Sequence, residues 1–167
     1  MAETKTEPGY DKSKERVLIT GALGDIGSEV SRFYMEKGID VLLVDCDDTR
    51  KDTTENTLKE LLGFASNHDV HAKYSSVDLR EPYQMDRFID GVERDYGTLA
   101  HLINVAGKPD WEEVRNGFLG SSDPSFDNMM RTNLIGPLEL IRRAAPLIAK
   151  DSHPLKSVIV IGSISGD

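Results

Sequence analysis

The residues best placed to do chemistry begin in Arg16-Val17-Leu18-Ile19-Thr20-Gly21-Ala22-Leu23-Gly24-Asp25-Ile26-Gly27. An apolar run passes straight into a turn with three glycines, and an amphipathic run follows with Val30, Phe33, Tyr34 and Lys37 at helical spacing. Strand, glycine turn and helix together form a phosphate cradle. The first N–H groups of the helix have no intrahelical acceptor, and the positive end of its dipole faces the same way. Gly21 permits the tight turn, Gly24 lets the backbone approach a pyrophosphate, and Gly27 lets the helix pack close to the strand. The competing reading is a plain turn between a strand and a helix; the strand–turn–helix context favours a dinucleotide.

Further candidates fall where later strands end. Asp45 closes a second apolar run, the position that faces the adenosine ribose in a doubly wound sheet. A carboxylate there accepts from both ribose hydroxyls and repels a 2′-phosphate, so NAD is preferred to NADP, although Arg50 and Lys51 stand close in sequence. The other reading of Asp45 is the start of a polar turn with Asp47 and Asp48. Asp78, in Ser76-Val77-Asp78-Leu79, faces an adenine amino group or caps the next helix. Asn104-Val105-Ala106-Gly107 ends a fourth strand, with residues small enough for backbone to approach a cofactor or simply to turn. Ser163 and Ser165 lie beyond a fifth strand, where a hydroxyl beside a nicotinamide could bond a substrate carbonyl; turn chemistry explains them equally. Pro137 lacks an N–H and so leaves the carbonyl of Asn133 without its helical partner, either a free acceptor near the site or a bend around the core.

The elements that must position these residues alternate. Strands are predicted over 17–20, 40–45, 71–77, 99–105 and 157–161, and helices over about 25–37, 50–66, around 85–92, and 125–150. The inner face of the second helix is expected to carry Leu58, Leu61, Leu62 and Ala65. Alternation of this kind implies parallel pairing through right-handed crossovers. The expected fold is therefore α/β: a doubly wound, Rossmann-type parallel sheet of order 3-2-1-4-5 in a three-layer α/β/α arrangement. A mobile tail is expected over residues 1–15 and a single domain over 16–167. The fifth strand should be an edge with uncovered apolar faces, which predicts marginal stability or a homo-oligomer.

Composition narrows the partners. The 167 residues carry a formal charge of −9 with no long basic stretch, which disfavours nucleic acid and anionic membrane. One cysteine, Cys46, excludes an internal disulfide and suits a reducing, cytoplasmic setting. No apolar run reaches membrane-spanning length. The four histidines, at 68, 71, 101 and 153, show no metal-ligand spacing, and no metal is expected. Trp111, in the loop between Gly107 and Pro124, could cover a pocket or simply be exposed.

Taken together, Thr20-Gly21-x-x-Gly24-x-x-Gly27, Asp45, Asp78, Asn104-x-Ala106-Gly107, Asn133 and Ser163 resemble the short-chain dehydrogenase/reductase family from about Arg16 to Asp167. The resemblance implies that Gly21, Leu23, Gly24, Asp25, Ile26 and Gly27 hold the pyrophosphate and that Asp45 holds the ribose. It places Asp78 and Leu79 at the adenine, with Asn104, Ala106 and Gly107 along the cofactor. Asn133 and Ser163 would be the asparagine and serine of the catalytic tetrad. The glycine spacing is that of the family's extended members, while Asn-x-Ala-Gly belongs to its other main branch. Asp25 is a further departure. Its carboxylate about 4 Å from a phosphate would meet about 4 kcal/mol of repulsion at an effective dielectric near 20, so Asp25 is expected to point outward and offer only its N–H.

Family members also carry a Tyr-x-x-x-Lys pair shortly after the serine, worth roughly 10²–10⁴-fold in rate as a positioned acid/base. None follows Ser163 here, and no earlier tyrosine, Tyr10, Tyr34, Tyr74, Tyr83 or Tyr96, is expected to substitute with a lysine four residues on. The expectation is thus an NAD-dependent oxidoreductase acting on a small-molecule alcohol or ketone as a complete protein, with these residues supplying nucleotide binding and little turnover. The alternatives are a non-catalytic nucleotide-binding module, an NAD-dependent nucleotide-sugar epimerase or dehydratase, and, disfavoured by the Asn-Ala-Gly and Ser163 motifs, a methyltransferase.

Overall fold

The computed structural model describes residues 14–46, 51–109 and 115–162. The strands are β1 (Arg16–Thr20), β2 (Asp40–Asp45), β3 (Ala72–Ser76), β4 (His101–Asn104) and β5 (Ser157–Val160). They form one parallel sheet in the order β3-β2-β1-β4-β5. The helices are α1 (Asp25–Glu36), α2 (Lys51–Asn67), α3 (Pro82–Tyr96), α4 (Asp123–Met130) and α5 (Gly136–Lys150), with a π-helical turn, Arg131–Ile135, joining α4 to α5.

Alternation along the strands sends side chains to opposite faces. Val17, Ile19, Val41, Leu43 and Ile103 pack with Met35, Leu61 and Ala65 of α1 and α2. Leu18, Leu42, Val44 and Leu102 pack with Met85, Ile89 and Val92 of α3 and with Leu140, Ala144 and Leu147 of α5. The three layers follow from this period of two, and the direction of strand crossover reverses between β1 and β4. Ligands of open α/β sheets bind at such a switch point.

Several elements differ from the sequence pattern. In α1 the buried residues are Gly27, Ser28, Ser31 and Met35, whereas Phe33 is 54% exposed. Small side chains let this helix lie close to the sheet, and Ser31 Oγ returns its hydrogen to Gly27 O at 2.7 Å. Leu62 of α2 is also exposed. The helix predicted over 125–150 is three pieces. Pro137 cannot supply an N–H, and the chain widens ahead of it so that Gly136 N–H bonds Arg131 O, five residues back. A π turn thus stands where a kink, giving either a free acceptor or a bend around the core, was expected.

Residues 1–13 of the expected tail lie outside the described residues, but its last two residues are tied down. Glu15 Oε1 is 2.5 Å from His101 Nε2, and the other ring nitrogen of His101 is 2.8 Å from Ser157 Oγ. Lys14 donates to Asp69 O at 3.3 Å. At β5, Val158, Ile159 and Val160 are 43%, 42% and 52% exposed, so this edge strand has its apolar faces uncovered among the described residues.

Gly136 is where the π turn meets the loop after β3: a Cβ there would lie 2.5 Å from Leu79 O and 2.8 Å from Arg131 O. Both obstacles are backbone atoms. Gly136→Ala is therefore expected to destabilise the fold, because overpacking of about 1–3 kcal/mol outweighs the ~1 kcal/mol of helix propensity that alanine gains over glycine. Urea unfolding checks this through a lower midpoint at an unchanged slope.

Candidate functional site

The end of β1 sets the site. Gly21 adopts φ +64°, and a Cβ on it would sit 2.8 Å from Ala106 N, so only glycine fits. The turn closes with Gly24 N–H on Gly21 O at 3.1 Å. Gly24 is the extended N-cap of α1 and makes no side-chain cap bond. The first helical bond runs from Ser28 N–H to Gly24 O at 2.9 Å, which leaves the N–H groups of Asp25, Ile26 and Gly27 ahead of it. A Cβ on Gly27 would fall 2.0 Å from Gly21 O, so α1 rests directly on the turn. On Gly24 it would meet Gly21 O at 3.4 Å and nothing else within 4 Å, a cradle that a side chain would fill. Asp25 and Ile26 are exposed, while Leu23 is buried.

Asp45, at the end of β2, reaches this turn. Its Oδ2 accepts from Leu23 N–H at 2.9 Å and its Oδ1 from Cys46 N–H at 2.9 Å. The carboxylate is thereby fixed at the lip of the glycine turn.

Asp78 follows β3, two residues beyond its end. Arg80 donates to it from its backbone N–H (2.9 Å to Oδ1), from Nε (2.9 and 3.0 Å) and from Nη2 (2.5 Å to Oδ2). The Arg80 guanidinium holds the Asp78 carboxyl below the usual carboxylate range, against partial burial that pushes it up; Lys108 adds a smaller lowering. Asp78 N–H donates to Gln84 Oε1 at 2.9 Å. Leu79 is buried beside it.

Asn104 is 1% exposed, so its side chain lies beneath the crevice and holds the ends of β1 and β4 together. Thr20 Oγ1 donates to Asn104 Oδ1 at 2.8 Å and accepts from Ala106 N–H at 3.2 Å. Gly107 is exposed, and a Cβ there would meet Asn133 Oδ1 at 3.5 Å. Asn133, within the π turn, clamps the next residue: its Oδ1 accepts from Lys108 N–H at 2.9 Å and its Nδ2 donates to Lys108 O at 2.7 Å. The widened helix thus spends this side chain on the segment after β4.

An open hollow is lined by Thr20, Gly21, Asp45, Asp78, Ala106 and Thr132 among others. The glycine turn that leads into α1 borders it at Gly21, and two carboxylates, each held by N–H donors, line it. That arrangement suits a ligand with an anionic middle and a polyhydroxylated, amino-bearing end. Sequence reasoning named Thr20 only as part of the glycine motif and missed Arg80 and Lys108 here; Asp78-x-Arg80 at a strand exit was the one readable signal, because a two-residue separation lets a guanidinium fold back on a carboxylate. Ser163, Ser165 and Trp111 lie outside the described residues. Tyr10 does have a lysine four residues on, Lys14, but Lys14 precedes β1 and therefore stands at the sheet end opposite the hollow. No group of three His, Cys, Asp or Glu is placed to hold a metal ion among the described residues, and no helix among them is long and apolar enough to cross a membrane.

Residues 15–167 match the family model described as short chain dehydrogenase. The chain is similar to chanoclavine-I dehydrogenase of Aspergillus fumigatus, 28% identical over 157 residues, covering 89% of this chain and 56% of that protein. It therefore spans just over half the length of this curated relative. Among solved structures, a 3-oxoacyl-[acyl-carrier protein] reductase from Brucella melitensis in complex with NAD superposes with a TM-score of 0.75 at 23% identity, over 91% of this chain and 56% of that one. An actinorhodin polyketide ketoreductase with NADPH gives 0.73 at 23%, over 92% and 54%. At that identity the likeness is one of fold.

The Asp78–Arg80 pair carries a pH signature. A lowered folded-state pKa means that the unfolded chain takes up a proton first as pH falls. The contribution is full at neutral pH, fades as pH drops through the unfolded value near 3.9 and is gone below the folded-state value. Arg80→Met, which keeps the stem, should unfold at lower urea than the wild type at pH 7 and approach it as the pH is lowered below that unfolded value. An equal gap at both pH values would trace the effect to packing instead.

Proposed function

Because the chain belongs to the short chain dehydrogenase family, we propose that it supplies the coenzyme site of an oxidoreductase that binds NAD in preference to NADP and interconverts an alcohol and a ketone. One observation carries this reading: the open N–H groups at the start of α1 stand beside a carboxylate, Asp45, that Leu23 N–H fixes at 2.9 Å. The pyrophosphate would sit on the turn from Leu23 to Gly27 and be met by the N–H groups of Asp25, Ile26 and Gly27, where the helix dipole and unpaired donors favour negative charge. Asp45 would accept from the ribose hydroxyls. A 2′-phosphate about 4 Å from it would be repelled by about 4 kcal/mol at an effective dielectric near 20.

Asp78 would accept from the adenine amino group with Leu79 alongside, and Ala106 and Gly107 would let backbone lie along the dinucleotide. When bound, the coenzyme supplies the hydride acceptor or donor. Asn133 would act by holding the segment after β4, and Ser163 by hydrogen-bonding the substrate oxygen. No proton-transfer role is given to Tyr10 and Lys14. A homo-oligomer belongs to the same proposal, supported by the uncovered apolar residues of β5.

Calorimetry tests it. The folded chain should bind NAD more tightly than NADP. Asp45→Ala should weaken NAD roughly 10–100-fold, the loss expected for hydrogen bonds to a charged group of about 1.5–3 kcal/mol, and should narrow the gap to NADP. Absence of heat with both oxidised and reduced coenzyme, on demonstrably folded protein, would overturn the reading.

A further inference from the structure

We infer that the groove between β3 and α3 is a second ligand site, which takes a small aromatic carboxylate: one ring bearing one anionic head. The groove shares no lining residue with the hollow at the strand ends, so the inference stands apart from the dinucleotide reading.

Charge on α3 is sorted by a spacing of seven residues, which brings a helix back to nearly the same face about 10 Å further along. Asp86 and Glu93 face α5, where Asp86 Oδ1 lies 2.6 Å from Arg143 Nε and Glu93 Oε1 lies 2.6 Å from Lys150 Nζ. Arg87 and Arg94, also seven apart, line the groove together with Lys73 of β3. Two acids of α3 are thus spent on the neighbouring helix, and the cations are left on the groove. One lining carboxylate answers them. Asp95 Oδ2 is 3.1 Å from Lys73 Nζ and its Oδ1 is 2.8 Å from Arg94 Nε. Arg87 makes no ion pair among the described residues, and its Nη1 reaches only Tyr83 Oη, at 3.4 Å. Asp90, about one turn from either arginine, pairs with neither. Three cations against one carboxylate make this groove attractive to anions, in a chain whose formal charge is −9.

Below the charges the lining is apolar. Leu42, Val92 and the Tyr96 ring are buried there, with Phe88 half-buried beside them. Lys73 Nζ stands 5.8 Å from the centre of the Tyr96 ring. Space comes from Gly91, the helix position between the two arginines. Glycine inside a helix weakens it, and packing does not demand one here: a Cβ would meet only Arg94 Nη2, at an ordinary 3.7 Å. The missing side chain leaves bare helix between two guanidinium groups and an open groove of about 150 Å³, room for about one aromatic ring. Guanidinium groups stack on ring faces and fork onto carboxylates. A ring with one carboxylate therefore meets both halves of the groove. Phosphate alone would leave the apolar floor wet, and a neutral ring would leave Arg87 without a counter-charge.

Benzoate is the probe, titrated into the isotopically labelled 167-residue chain at low ionic strength, where exposed cations are screened least. Benzamide supplies the ring without the charge, and acetate the charge without the ring. Benzoate should shift the backbone amide resonances of Gly91 and Ser75 and bind about tenfold more tightly than either control. Arg87→Met, which keeps the stem, should weaken it about fivefold. Gly91→Leu should fill the groove and weaken benzoate by about tenfold or more, while its urea midpoint rises because leucine favours a helix over glycine. Lost affinity in a more stable protein separates a ligand groove from a merely structural glycine. Benzoate binding no tighter than benzamide or acetate would overturn the inference. So would shifts confined to Gly21 and Ala106 at the hollow, or unchanged benzoate affinity in Gly91→Leu.

Discussion

Backbone contact without side chains at the end of β1 is the constraint on which the rest of the structure depends. Gly21 lies against Ala106 N, and Gly27 lies against Gly21 O so closely that a Cβ would stand 2.0 Å away. Those two approaches bring the start of α1, the end of β1 and the segment after β4 to one point. The first N–H groups of the helix open there because no side chain caps them and none intrudes. Interiors are packed too tightly for such contacts to relax around an added methyl group, so the cradle and the fold are one feature.

Around that point, negative charge is arranged carefully for a chain of formal charge −9 proposed to bind an anion. Each carboxylate at the hollow is held by donors of the protein itself. Asp45 is aligned by Leu23 and Cys46 N–H groups, and Asp78 by Arg80. Charge-assisted bonds of this kind are stronger than neutral ones and fix direction. Asp25, which has no such alignment, is exposed on the first turn of the helix.

The helical rim owes its shape to one missing hydrogen. Pro137 cannot complete the helix behind it, and the chain answers with the π turn Arg131–Ile135. The wider turn carries Asn133, whose amide grips both backbone groups of Lys108. Gly136 lets the same turn settle onto Leu79 O. The loops after β3 and β4 are thereby tied to a single helical segment, and the hollow keeps two walls at a fixed separation.

The sequence alone determined the layers, the strand order and the lip of the site, because these rest on local periodicity and on glycines at fixed offsets from a strand. β2 ends at Asp45 and α1 begins at Asp25 for reasons readable within a few residues. It did not determine which face of α1 is buried, since Ser28 and Ser31 are polar by type and are buried only because the sheet lies so near. Nor did it reveal that Asn104 is a buried latch to Thr20, or that Arg80 reaches Asn128, 48 positions away. Pairings of that kind are set by which chain ends meet at a sheet edge. A one-dimensional pattern gives the candidates for contact, and only tertiary packing chooses among them.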